Sequence, residues 1–347
     1  MFAGQRVTVG VDVGGTKLVA SAVDAEGRAL RLERWPEPVR GYEDVLHAIT
    51  ELVRRIRASL EPPTSIGASP SAGTPTIVGV GVAAAAFLDA ERRRVRAATY
   101  LVDWRDRPFA ADLAARLELP VVVANDADAA AWGEYLHGAG RAARSLVLAT
   151  VGTGIGGGIV IDGRLVTGGF GLGGEIGHLP VVPDGLRCGC GASGCVEQYA
   201  SGTAIARAAR AAVRAEPAAG ARLLARAGGD ADRIDGRLVT TLAREGDALA
   251  ARALGDGGAW LGRALAQVAS IVDPSVVVVG GGLAEAAGEL LLEPARRAFA
   301  AAASIPHVRL LAPVEAAELG NAAGIVGAAS LALALADQHD PKAVVHN

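Results

Sequence analysis

Lysine is nearly missing from this 347-residue chain: it stands only at Lys17 and Lys342, and every other basic side chain is arginine apart from the histidines. Cysteine is as scarce, with Cys188, Cys190 and Cys195 all inside one short segment. The formal net charge is only -3, and no basic run follows the chain, so there is no electrostatic case for nucleic acid, an anionic membrane or a polyphosphate chain as partner. The N-terminus MFAGQRVTVGVDVGG lacks an uninterrupted apolar stretch with a cleavage site, and no apolar run reads as long enough to span a bilayer, so a cytoplasmic location without membrane is expected. Phosphate fingerprints that open a helix are missing too. A Walker loop or a GxGxxG turn leads into a helix, whereas the first glycine turn here leads into a second strand.

What is present points to two α/β domains. The length exceeds the usual limit of about 250–300 residues for one core. Residues 6–13 read as a strand ending at Asp12, Gly14, Gly15, Thr16 and Lys17 turn the chain, and LVASAVD returns as a strand. Glycine amides, the Thr16 hydroxyl and the Lys17 ammonium suit an anion, and Asp12 could hold a water of hydrated Mg²⁺; the plainer alternative is an ordinary hairpin turn. Residues 145–166 repeat the layout: strand, turn at Gly152, Thr153 and Gly154, strand, then a second turn at Asp162 and Gly163. The recurrence suggests two related halves whose turns clamp a nucleotide phosphate.

Between the hairpins, residues 41–60 carry a helical apolar stripe, and 61–76 form a Pro/Ser/Gly connector. IVGVGVAAAAFLD and LPVVVAND read as buried strands, and the second delivers Asn125 and Asp126 to its carboxyl end, where open α/β sheets place ligands. Asp126 could instead be a helix cap, and Asp128 a first-turn helix charge. Further on, helices are expected at 203–215, 239–253 and 259–272, and a buried strand runs into Gly280, Gly281 and Gly282, where backbone can approach a flat ring. HVRLLAP reads as another strand, and LGNAAGIVGAASLALALA as a closing helix.

Residues 168–202 are the densest chemical segment, with Glu175, His178, Cys188, Cys190, Cys195 and Glu197 among glycines. Three thiolates and one imidazole make a closed tetrahedral zinc site, with Cys-x-Cys-x₄-Cys supplying three ligands and His178 the fourth. The alternative is a group of reduced, buried thiols, but small apolar cysteines have no cause to cluster among Gly191, Ser193 and Gly194.

The motifs DVGGTK at 12–17, ANDADAAAWGEY at 124–135, VGTGIGGG at 151–158, GGEIGH at 173–178 and CGCGASGCVEQYASG at 188–202 together resemble the ROK family (repressor, open reading frame, kinase), and within it the ATP-dependent glucokinases of actinobacteria. The likeness runs from about Thr8 to Leu335. It implies an actin-like ATPase fold of hexokinase type (ribonuclease H-like), with two α/β domains around a cleft. These would be a small one over 1–123, completed by a C-terminal helix at about 318–337, and a large one over 124–317 with the zinc segment at 173–202. It also implies transfer of the γ-phosphoryl group of ATP to the glucose 6-hydroxyl with Mg²⁺, and a homo-oligomer, dimer or tetramer. The family's base matches Asp126, and its sugar-binding residues match Asn125, Asp126, Glu175, His178 and Glu197. Its structural zinc ligands match His178, Cys188, Cys190 and Cys195, so one nitrogen of His178 would face zinc and the other sugar. Asp12, Gly14–Lys17, Gly152–Gly154, Gly280 and Gly281 fall to the nucleotide. Ala86 stands where the family commonly has glycine, and Ala124 and Asp128 replace its usual Glu and Asn. Other readings are a kinase for mannose, fructose or an N-acetylhexosamine, polyphosphate as donor, and a sugar-sensing regulator, although the first strand near Arg6 leaves no room for a helix-turn-helix.

Overall fold

The structure, a computed structural model, describes residues 5–14, 18–60, 75–98 and 102–339. In chain order the elements are β1 (Arg6–Val13), β2 (Leu18–Val23), β3 (Ala29–Arg34), α1 (Tyr42–Leu60), β4 (Thr76–Ala84), β5 (Ala86–Leu88), β6 (Val95–Ala98), α2 (Phe109–Leu117), β7 (Val121–Asn125) and α3 (Asp126–His137). There follow β8 (Ser145–Val151), β9 (Ile155–Ile161), β10 (Arg164–Leu165), α4 (Glu197–Ala200), α5 (Gly202–Ala215), α6 (Ala221–Arg226), α7 (Gly236–Arg244) and α8 (Ala248–Val272). The chain closes with β11 (Val276–Gly280), α9 (Gly282–Ala287), α10 (Glu289–Ala302), β12 (Val314–Ala316) and α11 (Ala323–His339).

Two compact units emerge. The first comprises 1–141, 165–173 and 322–347, so it continues past position 123 to take in β7 and α3; the second comprises 142–164 and 174–321. Each is built on a five-stranded mixed sheet, ordered β3-β2-β1-β4-β7 in the first and β10-β9-β8-β11-β12 in the second. In both, an antiparallel meander is followed by two strands parallel to its first member. The repeat of the hairpin pattern in sequence is thus a repeat of whole-sheet topology.

In the first unit, α1 buries Val45, Leu46, Ile49, Leu52, Val53 and Ile56, the stripe expected from its spacing. The other face of the sheet receives α11. A methyl group on Gly10 of β1 or on Gly81 of β4 would collide with the backbone carbonyl of Ile325 or Ala328, so bare backbone on the strands lets the helix sit directly on them. The segment Gly320–Gln338 is long and apolar enough, by length and composition, to cross a membrane, which corrects the expectation that no run reaches that length. Its contacts with β1, β4 and α3 make it a core helix of this unit.

Two expectations fail in the second unit for physical reasons. The break anticipated between helices near 253–259 does not occur: α7 ends at Arg244, Gly246 takes a positive φ, and Asp247 caps one continuous 25-residue helix, accepting the Ala250 amide at 2.9 Å. Glycine weakens an isolated helix, but Gly258 and Gly262 lie directly against the carbonyls of Leu291 and Ala295, and packing on α10 outweighs propensity. The strand expected at 307–313 is also not there; parallel pairing with β11 starts only at Val314. Val308 and Leu310 are 75% and 95% exposed, so apolar composition misled where no sheet neighbour covers it.

Candidate active site

In the first unit the parallel strands β1, β4 and β7 end side by side, with Asp12 opposite Ala83 and Ala84 opposite Asn125. Asn125 is the helix cap of α3: its Oδ1 accepts the amides of Ala127 at 2.9 Å and Asp128 at 3.2 Å, and its Nδ2 donates to the Ala86 carbonyl at 3.3 Å. Capping therefore falls to Asn125, and Asp126, the next residue, has its carboxyl available. Asp126 Oδ1 accepts the Ala127 amide at 3.0 Å. The residue is exposed, yet enough protein surrounds the tip of its side chain to remove part of its hydration. That dehydration raises its pKa, opposed by the amides of Ala127 and of Asp126 itself. Asp12 is pushed up to about 6, first by burial and then by the charge of Asp126. β1 ends at Val13 and Gly14 follows it, while Gly15, Thr16 and Lys17 lie outside the described residues.

The positions that depart from the family pattern are accommodated locally. Ala86 is a paired residue of β5 opposite Ala98 and is not among the positive-φ residues, so its methyl group meets no backbone demand for glycine. Ala124 is buried with Ala83, Ala129 and Ala328. Asp128 is buried on α3, more enclosed than a surface helix charge.

In the second unit, Gly152–Gly154 join β8 to β9, and the turn is held from two sides. The Gly202 amide donates to the Gly152 carbonyl and the Thr203 hydroxyl to the Thr153 carbonyl, both at 2.8 Å, which ties the turn to the start of α5. Glu197 Oε2 accepts the Ile155 amide at 3.0 Å. Gly281 takes φ +89° where an added Cβ would lie 2.6 Å from the Val151 backbone, so its bareness serves the packing of β11 on β8.

The cysteine segment closes on His178. Cys188 Sγ lies 3.7 Å from His178 Nδ1, Cys190 Sγ lies 3.7 Å from Cys195 Sγ, and the four donor atoms all fall within 4.8 Å of one another. A tetrahedron with metal–sulfur bonds of about 2.3 Å has edges of about 3.8 Å, so the donor set fits zinc in size as well as type. Burial, and then neighbouring thiols, push Cys195 up to about 12, while the Ala192 amide leads in lowering Cys190. Such a cluster ionises fully only around a cation. The other ring nitrogen, His178 Nε2, faces Glu175 Oε2 at 4.0 Å, and Glu197 Oε1 lies 3.9 Å from Cys188 Sγ. His178, Glu175 and Glu197 are thus gathered on the same donor cluster.

A cavity of about 1020 Å³ opens beside the Gly152–Thr153 turn, walled by Gly282 and Leu283 of α9 and by the side chains of α5 and α7. Gly282, not Gly280 or Gly281, borders it. Sequence reasoning missed its cations, Arg210, Arg237 and Arg244. Both wall carboxylates are committed elsewhere: Asp235 caps α7 through the Leu238 amide at 2.8 Å, and Glu245 binds Arg222 at 2.6 Å. Among the described residues, the side chains of Arg237 and Arg244 make no hydrogen bond or ion pair, so the cavity is electropositive. Their seven-residue spacing on one helix face was readable, but any solvated helix shows the same pattern.

The ROK family model matches residues 8–335. The chain is 43% identical over 326 residues to a glucokinase of Streptomyces coelicolor, covering 94% of this chain and 97% of that one. Among solved structures it is similar to a ROK family glucokinase from Streptomyces griseus in complex with glucose and AMPPNP, at 42% identity and a TM-score of 0.78, covering 94% of this chain and 99% of that one. A ROK hexokinase from Thermus thermophilus matches at 33% identity and a TM-score of 0.74, over 96% and 99% of the two chains.

Proposed function

Because the chain belongs to the ROK family, with its actin-like, hexokinase-type α/β fold, we propose that it transfers the γ-phosphoryl group of ATP to the 6-hydroxyl of glucose. The observation that carries this reading at the level of residues is the division of labour at the β7–α3 junction. Asn125 takes the capping bonds, and the neighbouring Asp126 carboxyl is exposed at the carboxyl end of the sheet. The S. griseus relative, solved with glucose and AMPPNP, supports the choice of sugar and donor.

In this reading Asp126 accepts the proton of the attacking hydroxyl. Phosphoryl transfer proceeds through a loose transition state, so a base needs position more than high basicity. Asn125, Glu175, His178 and Glu197 hold the sugar hydroxyls, each pairing rejecting analogues that lack its partner. The Gly152 amide already donates to the Gly154 carbonyl at 3.0 Å, so the turn would meet phosphate through the amides of Thr153 and Gly154, and Gly14–Lys17 would do so by their composition. The arginine-walled cavity takes the rest of the nucleotide. Mg²⁺ would neutralise charge on the phosphates, and Asp12 is the carboxylate suited to hold its water. Zinc, if held by His178, Cys188, Cys190 and Cys195, would have all four positions filled by protein, so it would brace the sugar-binding side chains and supply no Lewis-acid chemistry.

The deciding experiment is an ADP-release assay with ATP over glucose, mannose, fructose and N-acetylated hexosamines, beside a polyphosphate control without nucleotide. Glucose should give the largest kcat/KM. A higher value for another sugar would replace glucose as the substrate.

A further inference from the structure

The chain leaving the cysteine segment grips the Gly152–Gly154 turn at successive points. Cys195 is one of the four metal donors, and two residues later Glu197 opens α4 and accepts the Ile155 amide at 3.0 Å. Just past α4, the Gly202 amide donates to the Gly152 carbonyl and Thr203 Oγ1 to the Thr153 carbonyl, both at 2.8 Å. The other end of the metal segment reaches the same strand. Gly177, next to the donor His178, lies so close to it that a Cβ there would stand 2.1 Å from the Ile155 carbonyl oxygen. Ile155 is thus held at its amide by a residue that follows one donor and crowded at its carbonyl by a residue that precedes another.

Glu197 also faces the donors. The Cys188 thiol donates to Glu197 Oε1 at 3.9 Å, while Oε2 stands 2.5 Å from where a Cβ on Gly154 would be. A metal-bound cysteine is a thiolate and has no proton to give. The two states of the cluster therefore differ at Glu197. With thiols, its carboxylate is shared between Cys188 and Ile155; around a cation, Oε1 loses the Cys188 donor and the carboxylate's hydrogen bonding shifts to the Ile155 amide. A turn held more firmly has less freedom to lose when a ligand orders it. We propose that zinc at His178, Cys188, Cys190 and Cys195 and an adenine nucleotide at the Gly152–Gly154 turn are thermodynamically linked, each tightening the other, with Glu197 and Thr203 as the linking side chains. The linkage rests on the sugar-kinase reading, which puts phosphate at this turn. It goes beyond a brace for the sugar side, because linkage is reciprocal: bound nucleotide tightens the metal by the factor by which the metal tightens the nucleotide.

The test uses the full chain without sugar. Zinc affinity is read by competition with a chromophoric chelator, with and without saturating ADP, and ADP affinity by calorimetry on zinc-loaded and metal-free protein. Both affinities should change by one common factor of about fivefold or more, the lower end of ordinary coupling between sites. Thr203→Val removes one link without touching a donor, so zinc affinity in the absence of ADP should stay as in wild type while the coupling factor falls. Glu197→Ala should still bind zinc and bring the factor close to one. A linkage that came only from the metal's effect on folding would survive both substitutions, so an undiminished factor in the two variants overturns the proposal. A wild-type factor near one with ADP bound overturns it as well. Absence of ADP binding to the zinc-loaded protein overturns the nucleotide reading of the turn, and the linkage falls with it.

Discussion

Glu197 Oε2 accepts the backbone amide of Ile155 at 3.0 Å, which ties the carboxylate that follows the last cysteine to the residue that follows the Gly152–Gly154 turn. The same oxygen fixes what Gly154 can be, since a Cβ on Gly154 would stand 2.5 Å from it. One carboxylate therefore joins the cysteine segment to the Gly152–Gly154 turn, which in the proposed function are the sugar side and the phosphate side of the site.

Gly154→Ala should accordingly raise KM for sugar and for ATP together, because Glu197 must move and the Ile155 amide loses its partner. A lost hydrogen bond to a charged group costs about 1.5–3 kcal/mol, or roughly tenfold or more in each constant. Steady-state kinetics in both substrates check it. A change in KM for ATP alone would uncouple the turn from Glu197.

Asp12 and Asp126 make a pH signature. The folded pKa of Asp12, about 6, lies above its ordinary 3.8, so the folded protein holds this proton where the unfolded chain has lost it. Its contribution to stability is fully present below 3.8 and is lost as pH rises through about 6. Wild type should thus gain Tm relative to Asp12→Asn as pH falls from neutrality into that window, a difference thermal scans at several pH values would show. Asp126→Asn should lower the Asp12 pKa, seen by carboxyl carbon NMR, without returning it to 3.8, because burial outranks the Asp126 charge. The same variant should bind sugar but lose about 100-fold or more in kcat; a loss under about tenfold removes Asp126 as base.

The parts legible in sequence are those whose cause is local. Alternating apolar residues around a glycine turn gave both hairpins, Asn125 and Asp126 follow a buried strand directly, and the cysteines sit within a few positions of one another. The unreadable parts depend on partners distant in the chain. Gly255, Gly257 and Gly258 look like a break until α10 supplies the surface that wants Gly258 bare against the Leu291 carbonyl. Leu310 and Leu311 look like strand until the neighbour strand is seen to pair further on, from Val314. Arg210, Arg237 and Arg244 share a cavity only because α5 and α7 pack together.

Metal removal separates brace from chemistry. Purified protein should carry about one zinc per chain, and chelation should lower Tm and raise sugar KM together, because His178 sits at once in the thiol cluster and beside Glu175. Metal analysis with thermal scans and glucose kinetics would show it. A zinc-free protein that stays folded and keeps its sugar KM would mean the donor cluster holds nothing the sugar needs.

The arginine wall makes the last prediction. Asp235 and Glu245 are occupied by the α7 cap and by Arg222, so Arg237 and Arg244 face the cavity with their charge uncompensated among the described residues. An anionic nucleotide would recover that charge on binding, before and after transfer alike, which is uniform binding and appears in KM. Arg237→Ala and Arg244→Ala should each raise KM for ATP by about tenfold, the scale of one lost charge-assisted contact, with kcat and sugar KM nearly unchanged. Glu245→Gln should leave KM for ATP where it is, since that carboxylate already belongs to Arg222 and Arg226. If kcat falls instead while KM holds, the arginines meet charge that develops only in the transition state, and the cavity holds the reacting phosphates and not the rest of the nucleotide.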